Sequence, residues 1–335
     1  MLKEMIKKVG VSAFARVGID RLAVRLHARD ALVLVYHAIL SEAKDEPFRY
    51  HHTIDEFEAH LDWLGANCTP VGLADFARWK LGEWQPRKPP ILLTFDDGYR
   101  NNAALAAPLL IKKGFPALFF IVSGYVDGAR VLWPDEVFSR VLAWTGTSLD
   151  DPNGTVLVPE SQEARRTLAL SVVEACKNST DARRREFMAY LARETPQCDP
   201  LLDPGVQAFM TWNDVRALSA AGFDLGSHTV THPILSNLEP EQLREELLES
   251  RAAIEMQTGL QCTALAYPNG LSRDFSDLVV AATAQAGYDF AFTVSNRWCL
   301  RARDPLRLDR VGSPGHRDIA TFALHASGCR RWFPH

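Results

Sequence analysis

The stretch PPILLTFDDG, residues 89–98, decides the fold of this 335-residue chain. A short apolar run that begins with two prolines and ends at two aspartates and a glycine is typical of a buried strand leading into a polar turn. Similar runs recur along the sequence, separated by segments with apolar residues at helical spacing. The runs lie at 31–37, 117–122, 223–226, 263–267 and 290–294, and the helical segments at 54–67, 101–113, 212–221, 240–258 and 274–286. This alternation predicts an α/β fold with a largely parallel sheet, and the length fits one barrel of seven or eight βα units.

Residues of about 145–205 interrupt the alternation. Loop-forming stretches around 150–154 and 196–204 enclose charged helical patterns there. We interpret this segment as a helical insertion that caps a barrel spanning 31–320, and we expect a C-terminal tail at 321–335.

The N-terminal segment, residues 1–30, has a charge bias of its own. Seven basic and three acidic side chains are interleaved with apolar ones, which predicts a basic amphipathic helix. Such a helix lies either against its own domain or on an anionic membrane surface, and the pattern is consistent with both.

Composition excludes several classes of function. The formal net charge is −4 and no Lys/Arg run is interleaved with aromatic residues, so nucleic-acid binding is not expected. The six cysteines form no CxxC pair, and no apolar run is long enough for a membrane span. No secretion-type leader is evident and no obligate protein partner is indicated. We therefore expect a cytoplasmic protein, with the inner membrane face as the alternative location.

Asp96 and Asp97 follow an apolar strand directly, at the edge where βα-barrels place their active sites. Two adjacent carboxylates repel each other, so keeping both ionised near an apolar core requires a cation or strong hydrogen-bond donors. The alternative is a simple turn or helix N-cap, for which aspartate and glycine are also suited.

A second polar motif, GSHTVTHP at 226–233, also follows an apolar strand. His228 and His232 are spaced so that both imidazoles can lie on one face of a helical turn and bind one ion. Pro233 disfavours helical geometry at His232, so we expect a turn or a short helical stub. With ten histidines in the chain, such a pair also arises by chance.

Together the two motifs offer two imidazole nitrogens and one carboxylate oxygen for a metal ion, with a second carboxylate left over as a general base. This set suits Zn²⁺ or another divalent ion in metal-assisted hydrolysis. It also suits an oxygen-activating iron, so the spacing alone does not name the reaction.

TFDDG followed about 130 residues later by SHTVTHP resembles the polysaccharide deacetylases of the NodB-homology superfamily, over roughly residues 33–317. The resemblance implies a distorted barrel of seven strands. It further implies that Asp96 is the general base and that Asp97, His228 and His232 bind the metal. MTW, residues 210–212, matches the start of the family's lead-in helix.

The sequence departs from the family pattern in two places. The third motif, which often carries an arginine that orients the base, reads AYPNG at 266–270. Arg310 is the first candidate to replace that arginine and Arg307 the second; a solvated surface arginine is the alternative for both. The expected Leu-x-His is not evident either. His37 at the end of the first strand resembles the arrangement in poly-N-acetylglucosamine deacetylases, and it is our candidate general acid, with His316 as the rival.

Two aromatic residues are candidate substrate contacts, Trp133 and Tyr267, together with His316. An indole can stack on a sugar, although a lone tryptophan is more often buried in packing. The sequence thus predicts a zinc-dependent deacetylase of an N-acetylated glycan in an exopolysaccharide, the cell envelope or a lipid-linked precursor. The alternatives are an amide hydrolase or deformylase acting on a smaller substrate, and a catalytically degenerate glycan-binding module.

Overall fold

A curled, parallel sheet forms the centre of the protein, and seven of its eight strands lie on one continuous path. The structure is a computed structural model, and it describes residues 18–43, 51–128, 131–200, 203–313 and 318–329. In chain order, the strands of the described residues are β1 (Leu32–Tyr36), β2 (Ala38–Leu40), β3 (His51–Thr53), β4 (Thr69–Pro70), β5 (Pro90–Phe95), β6 (Ala117–Ile121), β7 (Ser148–Asp151), β8 (Gly154–Leu157), β9 (Asp224–Ser227), β10 (Ala264–Ala266), β11 (Phe290–Phe292) and β12 (Val311–Gly312).

The α-helices of the same residues surround this sheet. In chain order they are α1 (Ile19–Leu26), α2 (Ile54–Asn67), α3 (Leu73–Lys80), α4 (Ala107–Lys113), α5 (Trp133–Leu142), α6 (Gln162–Lys177), α7 (Asp181–Glu194), α8 (Pro204–Gln207), α9 (Trp212–Ala220), α10 (Pro240–Thr258), α11 (Asp277–Gln285) and α12 (Ile319–Ala326). A π-helical turn (Asn102–Ala106) precedes α4, and short 3₁₀ turns lie at Ser123–Tyr125 and Leu235–Asn237.

The strand order is β11-β10-β9-β6-β5-β1-β12, and β4 pairs with β5 beside this path. Strands β1, β5 and β6 are buried along their whole length, as expected for parallel strands covered on both faces. Their register places Leu34 beside Leu93 and Leu93 beside Ala117. The uninterrupted apolar runs of the sequence therefore correspond to the central strands.

The segment 305–313 joins the two ends of the sheet. On one side the Ala291 amide donates to the Pro305 carbonyl (2.9 Å) and the Leu308 amide donates to the Ala291 carbonyl (2.8 Å). On the other side β12 pairs with β1, and the Ser313 amide donates to the Val35 carbonyl (3.1 Å). The curled seven-stranded sheet confirms the predicted distorted (β/α) barrel.

The predicted helices and strands lie within a few residues of the observed ones, and α10 has the predicted bounds. The predicted helix at 101–113 is divided, because its first turns are π-helical. At the start of the predicted tail, 321–335, helix α12 buries Phe322, whose ring stacks on His60 at 3.6 Å. Residues 330–335 lie outside the described residues.

The interrupting segment forms the β7–β8 hairpin followed by α6 and α7. Its apolar side chains pack against α5 in a hydrophobic cluster separate from the barrel core. The cluster includes Val137, Phe138, Val141, Leu149, Ala169, Val172, Val173, Phe187 and Leu191, and it extends to Trp133 and Ile234. The insertion is thus packed onto loops at one edge of the barrel.

Only part of the predicted N-terminal segment lies within the described residues. Helix α1 buries Asp20, Ala23 and Val24, and Asp20 accepts a hydrogen bond from the Trp63 indole at 2.8 Å. Its other side, with Leu22 and Leu26, faces solvent. Among the residues that the structure describes, no helix has the length and apolar character needed to cross a membrane.

Candidate active site

The polar side chains of the two motifs meet at the C-terminal edge of the sheet. Asp96 and Asp97 follow β5, and the Asp96 amide donates to the Tyr36 carbonyl at the end of β1 (2.9 Å). His228 follows β9, and its amide donates to the Ile121 carbonyl at the end of β6 (2.9 Å). These bonds extend the sheet by one residue, and they fix both motifs to neighbouring strands.

Asp97, His228 and His232 form a cluster that fits one metal ion. Asp97 Oδ1 lies 3.4 Å from His228 Nε2 and 3.5 Å from His232 Nε2, and one ligand atom from each residue lies within 4.8 Å of the others. The side chains are 6%, 2% and 12% exposed, in the order Asp97, His228, His232. The residues predicted from the sequence to bind a metal ion thus come together in a largely buried site.

The backbone at this cluster is held in an uncommon conformation. Asp97, Thr229 and His232 have φ of 71°, 67° and 58°, the left-handed region that costs side-chain-bearing residues free energy. Glu246 of α10 accepts hydrogen bonds from the amides of Val230 (2.7 Å) and Thr231 (2.9 Å). Residues 228–233 form a bend without helix, as Pro233 predicted.

Further contacts hold the His228 ring and the His232 backbone in place. His228 Nδ1 lies 2.8 Å from the Ala266 carbonyl and can donate to it, so in the neutral imidazole Nε2 is the nitrogen left to bind a metal ion. The carbonyl of His232 accepts a hydrogen bond from the Trp133 indole at 3.0 Å.

Arg310 lies against Asp96 in a fully buried ion pair. Its Nη1 and Nη2 each donate to one Asp96 carboxylate oxygen at 2.7 Å. Nε donates to the Thr293 carbonyl (3.0 Å), and Nη1 also donates to the Thr94 hydroxyl (3.1 Å). The guanidinium is therefore aligned by β5 and by the segment after β11. Arg307, the second candidate, pairs instead with Asp277 and Asp304 near the surface.

Comparisons with known proteins agree with this geometry. A family model described as polysaccharide deacetylase matches residues 84–151 and 181–291, just over half of the chain. The chain belongs to the polysaccharide deacetylase family. The match leaves residues 152–180 unmatched, a stretch that contains β8 and α6.

Relatives of this deacetylase match it at low sequence identity. The Bacillus subtilis (strain 168) protein YxkH, whose name assigns it to the polysaccharide deacetylases, is 22% identical over 286 residues, or 84% of this chain and 71% of YxkH. The Streptococcus pyogenes deacetylase PplD, solved with acetate, superposes with a TM-score of 0.59 at 17% identity, covering 87% of this chain and 95% of PplD. IcaB from Ammonifex degensii gives 0.56 at 19% identity, covering 89% and 97%.

The titratable groups of the deacetylase site have strongly shifted pKa values. Burial raises the pKa of Asp96, but the adjacent Arg310 guanidinium and His228 outweigh it and hold this pKa below its usual value. Burial likewise raises the pKa of Asp97, yet its hydrogen bond with His228 and the nearby imidazoles lower it overall. Both carboxylates are therefore ionised at neutral pH.

The pKa values of the two imidazoles, those of His228 and His232, shift in opposite directions. Burial lowers the pKa of His228, but the Asp96 and Asp97 carboxylates outweigh it and raise this pKa overall. Burial and the charge of His228 lower the pKa of His232 to about 3. The Asp96 and Asp97 carboxylates thus favour a positive charge beside them. His232 stays neutral, which is the state in which an imidazole can bind a metal ion.

The site opens into a cavity of about 540 Å³. His37 lines it beside Asp96 and Asp97, and its charge lowers the pKa of both carboxylates. The rival acid, His316, lies outside the described residues. His325 of α12 also lines the cavity, with Nε2 2.7 Å from the Gly312 carbonyl.

The two aromatic residues predicted to contact substrate are both buried in the structure. Tyr267 is 1% exposed, stacks on Phe275 at 4.6 Å, donates its hydroxyl to the Leu306 carbonyl (2.9 Å) and is absent from the cavity lining. Trp133 borders the cavity but is 2% exposed, and the Arg184 guanidinium lies over its ring at 4.9 Å. Neither ring presents an open face to a sugar, because both are packed into hydrophobic clusters.

Several cavity-lining residues were not predicted from the sequence. They are His51, Tyr99, Glu174, Lys177, Asn269, Arg273 and His325. Asn269 gave a signal in hindsight, because it belongs to the turn AYPNG and has a φ of 62°. Glu174 and Lys177 gave none, since charged residues on a helix ordinarily indicate a solvated face.

Proposed function

We propose that this protein is a metal-dependent hydrolase that removes N-acetyl groups from amino sugars of a polysaccharide or of its lipid-linked precursor. One observation carries the proposal. The buried cluster of Asp97, His228 and His232 lies beside a second carboxylate, Asp96, which a buried arginine holds ionised.

The residues of this cluster fit a divalent metal ion. Two imidazole nitrogens and one carboxylate oxygen are the donors of open, catalytic zinc sites. Both carboxylates are ionised and the pKa of His228 is raised, as expected where the surroundings stabilise a positive charge such as that of a metal ion. A bound ion would polarise the acetamide carbonyl and make a water molecule more acidic.

Asp96 is placed to act as the general base. Its Oδ2 is 4.0 Å from His228 Nε2, so this oxygen faces the metal-ligand cluster. Each carboxylate oxygen has a second lone pair beyond the one that Arg310 occupies, and that lone pair can take the proton of the attacking water. Arg310 keeps the carboxylate ionised and fixes its direction.

His37 is the group proposed to protonate the leaving amine. When the hydroxide portion of water joins the acetyl carbon, the C–N bond breaks, acetate leaves and the sugar nitrogen needs a proton. A protonated imidazole can supply it, and His37 lies in the same cavity as Asp96.

The test uses Asp96→Asn. The change keeps the shape of the side chain but removes the base, so acetate release should fall by roughly 10²- to 10⁴-fold. Metal content, measured by mass spectrometry on the purified protein, should stay as in the parent protein because Asp96 is not a proposed ligand.

Other outcomes distinguish the alternatives. Release of formate by the parent protein would indicate a deformylase, and hydrolysis of small amides but not of N-acetylated glycans would indicate an amide hydrolase. Bound metal with glycan binding and no turnover would indicate a binding module. A parent protein without stoichiometric metal would contradict the proposed ligand set.

We also propose that the protein acts at the cytoplasmic side of a membrane through α1. The support is the exposed side of this helix, where Leu22 and Leu26 are 59% and 71% exposed beside the exposed Arg21 and Arg25. Apolar side chains among basic ones bind anionic lipid surfaces. The protein should co-sediment with vesicles containing phosphatidylglycerol and not with pure phosphatidylcholine, and Leu22→Ser/Leu26→Ser should weaken this binding.

A further inference from the structure

The wall of the active-site cavity includes side chains from the part of the chain that the family model leaves unmatched. Glu174 and Lys177, near the C-terminal end of α6, line the cavity that also contains Asp97, His228 and His232. Arg273, from the loop after β10, lines it as well. We call Glu174, Lys177 and Arg273 the rim cluster.

The rim cluster is a connected set of charges. Glu174 Oε1 lies 2.8 Å from Lys177 Nζ, and Glu174 Oε2 lies 3.2 Å from Arg273 Nη2. The carboxylate is thus shared between two cations, which leaves hydrogen-bond donors and an acceptor side by side. The side chain of Lys177 is 13% exposed, whereas those of Glu174 and Arg273 are 49% and 53% exposed.

The two segments that carry the rim cluster, the end of α6 and the loop after β10, are both held by further contacts. Helix α6 packs through Val172 and Val173 into the cluster with α5, and the Lys177 carbonyl accepts a hydrogen bond from Asn237 Nδ2 at 2.9 Å. These contacts tie the end of α6 to the loop that follows the metal-ligand motif.

The loop that carries Arg273 is fixed from within. Asp274 is 2% exposed, and it accepts hydrogen bonds from Asn269 Nδ2 (2.7 Å) and the Leu271 amide (2.8 Å). The Arg273 carbonyl accepts a hydrogen bond from the Ser236 hydroxyl at 2.9 Å. A ligand that reaches the rim cluster therefore meets side chains carried by backbone that is already held in place, which lowers the cost of binding.

The charge balance favours a polyhydroxyl ligand over an anion. An anion site would need uncompensated cations, but two carboxylates balance the two cations here: Glu174, and Asp274, whose Oδ1 lies 3.8 Å from Arg273 Nε. A sugar ring has neighbouring hydroxyls that both donate and accept, and this matches a carboxylate placed between an ammonium and a guanidinium. A cavity of about 540 Å³ lies within the range of sites for ligands larger than a single small group.

We propose that the rim cluster is a subsite for the sugar unit next to the N-acetylated one, so that this protein selects oligosaccharides over single amino sugars. The inference rests on the proposed function, because it assumes an acetamide at the metal-ligand cluster. It assigns to the inserted helix a role in choosing the substrate.

The experiment compares single N-acetylglucosamine with its β-1,4- and β-1,6-linked di- and trisaccharides. The quantity is the ratio of kcat/KM for the disaccharide to kcat/KM for the single sugar. In the parent protein this ratio should exceed one for at least one linkage. In Arg273→Ala it should fall by roughly 10- to 100-fold through KM, as expected when a hydrogen bond to a charged donor is lost.

Arg244→Ala is the matched control. Arg244 also pairs with a glutamate, Glu241 on α10, but it does not line the cavity. Its loss should leave the ratio unchanged. An unchanged ratio in Arg273→Ala as well, or a change in kcat alone, would overturn the subsite.

A binding measurement separates this inference from the proposed function. Titration calorimetry of Asp96→Asn with the same sugars does not depend on turnover. If disaccharide binding depends on Arg273 but the parent protein releases no acetate, the subsite is supported and the deacetylase proposal is rejected. If the parent protein releases acetate but disaccharide binding does not depend on Arg273, the deacetylase proposal is supported and the subsite is rejected.

Discussion

Two carboxylate–guanidinium pairs each include a residue that lines the same cavity, and they differ most in burial. In the first, the side chains of Arg310 and Asp96 are 0% and 4% exposed. In the second, those of Arg273 and Glu174 are 53% and 49% exposed. Burial makes an ion pair depend on both partners, because a charge left alone cannot return to water, whereas an exposed pair exchanges its partner for solvent at little cost. The buried pair is therefore suited to hold a catalytic group, whereas the exposed pair is available to a ligand.

The largest effect should follow from Arg310→Met. Removing the guanidinium leaves the Asp96 carboxylate buried beside Asp97 without the cation that binds both of its oxygens, which should lower the free energy of unfolding by about 3–5 kcal/mol. Urea denaturation of the metal-free protein measures this change.

The double variant Arg310→Met/Asp96→Asn is the internal control for that measurement. It removes the stranded charge, so it should recover part of the lost stability. A double variant as unstable as the single one would show that Arg310 acts through packing and not through the charge of Asp96.

The positions of these groups were predictable from the sequence to different degrees. Asp96, Asp97, His228 and His232 stand directly after apolar strands, and parallel strands end at a common edge, so their meeting could be predicted. Arg310 could be proposed because apolar residues precede it. Its exact partners depend on the segment 305–313 joining β11 to β1, which no local pattern encodes.

Burial explains where the structure differs from these expectations. Trp133 and Tyr267 were expected to face the substrate, yet both are packed in clusters that include residues far away in sequence. Conversely, Glu174 and Lys177 carry the pattern of a solvated helix face and nevertheless line the cavity. Which face of an inserted helix points at a site is decided by tertiary packing, so periodicity alone could not show it.

An intermediate effect is expected for Trp133→Phe, which tests a contact between the insertion's cluster and a proposed metal ligand, His232. The change keeps most of the buried ring but removes the indole N–H that binds the His232 carbonyl. We expect metal affinity to fall by roughly 10- to 100-fold, as for other groups that orient metal ligands. Competition with a chelator of known affinity measures it.

Trp144→Phe is the control for this effect. Trp144 lies in the same hydrophobic cluster, and its indole also donates to a carbonyl, that of Ser148, at 2.9 Å. It should lose similar packing without changing metal affinity. Equal losses in both variants would attribute the effect to the stability of the insertion.

The smallest effect on stability should follow from Arg273→Ala. More than half of the Arg273 side chain is exposed, and the inserted helix is held by its apolar cluster and by Asn237, so losing the bridge to Glu174 should change the free energy of unfolding by about 1 kcal/mol or less. Urea denaturation of Arg273→Ala beside Arg244→Ala measures this change. A loss several times larger than in Arg244→Ala would show that the bridge positions α6 itself. Any effect of Arg273 on substrate choice would then come from moving the helix and not from contact with a sugar.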